Sequence, residues 1–181
     1  HAARWVIEDR PKVPVDGEEL LAWLEVVDAE SAVFSESYPI FVVNDPGASL
    51  LATADLLCTP QSADGAADRL ARHLLTLWLN VVSGRLDPAL TLDELCGGDE
   101  ILPDGTDLGM TVGELLDEVD AGLAAGADDN QLTFWLEVVD AVNNSSVPGE
   151  LGCNAPRSVS GRHLAGHGKP GAKSTLSKVK N

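Results

Sequence analysis

Between Asp99 and Glu114 the stretch "DEILPDGTDLGMTVGE" gathers five carboxylates, Asp99, Glu100, Asp104, Asp107 and Glu114, around Gly105 and Gly109. Flexible glycine loops rich in oxygen ligands are what Ca²⁺ takes, about six to eight donors at a time. The spacing departs from the D-x-[DN]-x-[DN]-G order of an EF-hand. A solvated acidic loop opening a helix competes with the calcium reading. Calcium is the one cofactor this pattern suggests, and none is required.

Other chemistry is thinner. His1 offers an amine and an imidazole to copper, with His73, His163 or His167 as a second ligand. The enzymes that brace copper in this way are β-sandwiches, which this sequence does not resemble. Cys58, Cys96 and Cys153 are an odd set with no C-x-x-C pair, so zinc ribbons and thioredoxin chemistry have no support. In an exported chain the expectation is one disulfide, Cys58 with Cys96 or Cys153, and one leftover thiol. No G-x-S-x-G is present, and no P-loop or G-x-G-x-x-G stands between a strand and a helix. Carboxylate pairs for glycoside hydrolysis carry no information among 29 acids. The expectation is a protein without enzymatic activity.

Charge is divided sharply along the chain. Residues 1–156 hold all 29 acids and only six bases, a net of −23, whereas 157–181 hold six bases and no acid. Those bases are Arg157, Arg162, Lys169, Lys173, Lys178 and Lys180. A body this acidic repels nucleic acid and anionic lipid, while the basic segment suits the acidic body of a neighbour. At 181 residues and 44% hydrophobic, the chain can build a core of ordinary size. No apolar run approaches the ~18–20 residues that span a bilayer, and no signal peptide is recognisable. A start at His1 fits an exported protein whose leader has been removed.

The elements that would position these residues are helical. "WLEVVDA" occurs at Trp23–Ala29 and again at Trp135–Ala141, with a looser copy, "WLNVVSG", at Trp78–Gly84. Asp16-Gly17-Glu18-Glu19 has the form of a capping box, and Leu20, Trp23, Leu24 and Val27 follow at helical period. Residues 33–43, with Phe34, Tyr38-Pro39 and Ile40–Val43, read as a short extended segment. "SLLATADLL" is a short helix ending near Cys58. The strongest helix is "ADRLARHLLTLWLNVVSGRL": its apolar surface runs nearly all round, leaving a polar strip of Arg69, Arg72, His73, Thr76 and Asn80, and Gly84 is its C′ residue. Thr91–Glu94 and Thr111–Glu114 are further capping boxes. Residues 111–144 form a helical hairpin, with Val112, Leu115, Leu116, Val119 and Leu123 on one stripe and Leu132, Trp135, Leu136, Val139 and Val142 on the other. The two exact heptapeptides are expected to be copies of one packing unit with their tryptophans in the core.

"LARHLLTLWLNVVSGRL", "TVGELLDEVDAGL" and the upstream "CTP" resemble a helical module of uncharacterised exported proteins of bacteria and archaea, over residues 58–145. Gln61 and Ser62 stand where that module continues with glycine and aromatic residues. The resemblance implies a cell-surface or extracellular setting and supplies no catalytic residues.

The expected fold is a mainly α bundle of repeated amphipathic helices. Residues 1–57 form an N-terminal helix plus extended segment, 58–155 a helical core, and 156–181 a basic Gly/Ser/Lys tail that is flexible or docked on a partner. The expected function is an extracellular structural or interaction protein that self-assembles into a surface layer, sheath or filament, the tail of one copy lying on the body of the next. A monomeric Ca²⁺-binding adhesion or ligand-binding module is the alternative, and an enzyme of unrecognised class the second.

Overall fold

The computed structural model describes residues 16–58, 65–95 and 101–145. The fold is mainly α. Five α-helices, α1 (Gly17–Glu30), α2 (Pro46–Cys58), α3 (Ala66–Val82), α4 (Val112–Ala124) and α5 (Asp129–Asn144), are joined by a π turn at Val33–Ser37 and a 3₁₀ turn at Leu92–Glu94. No helix among the described residues is long and apolar enough to cross a membrane.

Helix ends follow the local chemistry. Asp16 Oδ1 accepts from the Glu19 N–H at 2.7 Å, and Asp128 Oδ1 accepts from Asn130 and Gln131 N–H at 3.0 Å each. Both satisfy amides that the first helical turn leaves open. Gly84 takes a φ of +70° just past α3, as its C′ role requires.

Helix α3 is the axis of the bundle: Leu70, Ala71, Leu74, Leu75 and Leu77 are fully buried, and α1, α2, α4 and α5 all pack on it. The core is one cluster running from Leu20 of α1 to Val142 of α5. Residues 111–144 make the expected pair of helices joined by a short turn, but α5 packs chiefly on α3. It meets α4 through Trp135, whose ring sits over Gly122.

The stretch 33–43 is not extended at its start. Ser31 breaks α1 in an extended conformation, and Ala32 returns to helical angles. The Tyr38 N–H then donates to the Val33 carbonyl at 2.8 Å, closing a π turn. The turn is capped both locally and from afar. The Ser31 hydroxyl accepts from the Phe34 N–H at 3.1 Å, and the buried Asp120 of α4 accepts from the N–H groups of Ala32 (2.9 Å) and Val33 (3.3 Å). No strand forms among the described residues; Thr91 and Thr111 make an isolated antiparallel bridge.

That bridge joins two like loops, Asp87–Leu95 and Asp107–Leu115, each reading Asp-x-x-Leu/Met-Thr-Leu/Val-x-Glu-Leu. Asp87 and Asp107 each accept from the N–H two residues on, at 2.9 and 3.0 Å. Thr91 and Thr111 N–H donate to Glu94 and Glu114 at 2.9 and 2.8 Å. Leu92 N–H donates to the Met110 carbonyl and Val112 N–H to the Leu90 carbonyl, so each loop supplies what the other lacks.

Candidate functional site

A groove of about 480 Å³ lies between segment 37–40, α2 and α3. Its polar lining converges from three elements. Tyr38 closes the π turn and donates its hydroxyl to Asp68 Oδ1 at 2.7 Å. Asp68 stands in the first turn of α3, where its Oδ2 also accepts from the Gly65 N–H at 3.3 Å. Arg72, one turn further along α3, is 7% exposed, and Asp55 enters from the exposed side of α2. Asp55 and Arg72 both have interaction partners. Ile40, fully buried, and the half-buried Leu56 supply an apolar wall. The groove can seat a ligand with an apolar stem and a charged end, as small-ligand clefts do.

Two further polar constellations hold the helices together. Asp120 accepts from the Ser31 hydroxyl, from Ala32 and Val33 N–H, and from Trp78 Nε1 at 3.3 Å. One carboxylate thus ties α1, the π turn and α3 to α4. On the far side of α3, His73 Nδ1 lies 3.2 Å from Asp140 Oδ1. The Asn143 side chain donates to the His73 carbonyl at 2.9 Å and accepts from Asn80 Nδ2 at 3.1 Å. Burial lowers the pKa of His73, Asp140 opposes that, and Arg72 and Arg69 add to it. The ring is therefore held toward its neutral form.

Among the sequence-derived ligands, Asp104 and Asp107 are exposed, and Asp107 is occupied with its own loop. Glu114 is exposed and folds back on Thr111, whose backbone N–H, then its hydroxyl, draw the carboxyl below its ordinary pKa. Asp99 and Glu100 lie outside the described residues. Among the described residues no group of three or more His, Cys, Asp or Glu is placed to hold a metal ion. Cys58 is exposed at the end of α2. Cys96 and Cys153, its expected partners, lie outside the described residues, as do His1, His163, His167 and the six tail bases Arg157, Arg162, Lys169, Lys173, Lys178 and Lys180.

Sequence reasoning missed the groove and Asp120. It placed Arg72 on one polar strip with His73 and Asn80, whereas Arg72 lines the groove with segment 37–40 and α2 while His73 and Asn80 face α5. A signal for Asp120 was present: it falls one turn after Leu116 on the apolar stripe of α4, where a carboxylate needs partners. No family model matches the chain, and neither a curated protein nor a solved structure does.

Proposed function

We propose that this protein is an extracellular structural component without a catalytic step. Its copies assemble by docking the basic segment 157–181 of one on the acidic body of the next. The observation that carries the reading is charge. The described residues hold 23 acids against Arg69, Arg72 and Arg85, while the terminal segment holds six bases and no acid. Most of those acids are exposed, so their summed field attracts a cationic segment over a wide area. Such a contact is head-to-tail, and it propagates when its rotation does not close a ring.

Particle mass tests this. At about 0.01 M salt, where charge is felt over ~30 Å, the full chain is expected to form large regular particles. At about 1 M, where the reach is ~3 Å, the particles should disperse. A chain ending at residue 155 should stay monomeric under both conditions. A full chain that is monomeric throughout would remove self-assembly, and particles that persist without the tail would remove the tail as its cause.

A further inference from the structure

The groove beside Tyr38 has a shape and a charge that the broad acidic surface does not explain. We infer that it seats a lysine side chain from segment 157–181 of a neighbouring copy, making it the specific anchor of the contact proposed above, on which this inference rests.

Three observations select the occupant. The volume of about 480 Å³ lies within the range of small-ligand clefts, roughly 300–1,000 Å³. The wall of Ile40 and Leu56 suits a methylene stem, which long cationic side chains lay along apolar surface while the charge stays polar. Asp55, Asp68 and Arg72 together leave the lining one formal negative charge, so one added cation neutralises it and an anion is opposed. Lysine fits better than arginine. Both oxygens of Asp68 already accept, from Tyr38 and from Gly65, so the carboxylate offers no open edge for a bidentate guanidinium. A compact ammonium with three donors can use the remaining lone pairs. Lys169, Lys173, Lys178 and Lys180 are the donors available in the segment.

The full chain at low salt, treated with a zero-length carbodiimide coupling reagent, gives the direct test. The reagent joins a carboxylate to an adjacent amine with loss of water as the reagent becomes a urea. Mixing heavy- and light-isotope chains beforehand marks links between copies. Expected are links between Asp55 or Asp68 and one of the four tail lysines, in mixed-isotope pairs. Assembly with links only to other carboxylates overturns the groove and leaves tail docking standing. Absence of both assembly and mixed-isotope links overturns both. As a second measurement, the full chain carrying Asp55→Asn with Asp68→Asn should assemble about fivefold more weakly, the upper end for an ion pair open to solvent. The Tyr38 bond keeps an acceptor in Asn. Asp117→Asn with Glu137→Gln, on helices that do not line the groove, removes equal charge and should have a smaller effect. Equal weakening by the two pairs counts against the groove.

Discussion

Replacing Gly122 by alanine sets two opposing effects against each other, and the geometry decides the sign. Within a helix the change should stabilise by about 1 kcal/mol, because glycine loses more backbone freedom on folding. A Cβ at this position, however, would lie 2.0 Å from Cη2 and 2.5 Å from Cζ3 of Trp135, where carbon atoms prefer about 3.5–4.0 Å. The ring cannot easily step aside. It is 6% exposed, and its Nε1 donates to Glu118 Oε1 at 3.2 Å, one turn before Gly122 on the same helix. Expelling the ring would forfeit roughly 150–250 Å² of burial, about 4–6 kcal/mol. The cheaper response is to move α5 away from α4 at an overpacking cost of ~1–3 kcal/mol or somewhat more. The expected balance is a net loss of about 1–2 kcal/mol. Urea unfolding followed by far-ultraviolet circular dichroism and tryptophan fluorescence measures it. In a Trp135→Leu background the clash is relieved, and Gly122→Ala should become neutral or stabilising. A single variant as stable as the wild type, or the same loss in both backgrounds, refutes the argument.

Asp120→Ala removes the acceptor of the Ser31 hydroxyl, Ala32 and Val33 N–H and Trp78 Nε1, leaving buried donors unpaired. It should cost roughly 3–5 kcal/mol in the same urea measurement, and a loss below about 1 kcal/mol would show that the hub is dispensable. His73 governs a pH response. Its folded pKa lies below the unfolded value of about 6.5, so the unfolded chain binds the proton first. Its contribution is present above that value and is lost as pH falls through it toward the folded pKa. His73→Gln should therefore flatten the fall in melting temperature between about pH 7.5 and pH 5.5, and an unchanged slope would rule out this histidine as a source.

Much of the helical framework was legible in the sequence because its causes are local. The Asp16 cap, the Thr111 capping box, the C′ glycine at Gly84 and the broad apolar surface of α3 each act within a few residues. The candidate site was not legible, because its parts come from three separate segments. Tyr38 meets Asp68 across 30 residues, and Asp120 reaches Ser31 across 89. Residues 33–43 looked extended for a related reason: Asp120, which caps the start of the turn at Ala32 and Val33, belongs to α4.

The repeated heptapeptide marks the boundary most clearly. Trp23–Ala29 and Trp135–Ala141 are identical and both helical, as their period dictates. They are not one packing unit. The first copy buries Leu24 and Val27, leaving Trp23 half-buried and Val26 46% exposed; the second buries Trp135, Val138 and Val139, leaving Leu136 half-buried. At about 100° per residue the buried faces differ by roughly 75°. Local sequence determined that these segments are amphipathic helices with apolar residues over more than one face. Which part of that surface is covered was decided by tertiary structure: α5 meets both α3 and the Gly122 notch of α4, whereas α1 packs on α2, α3 and the π turn.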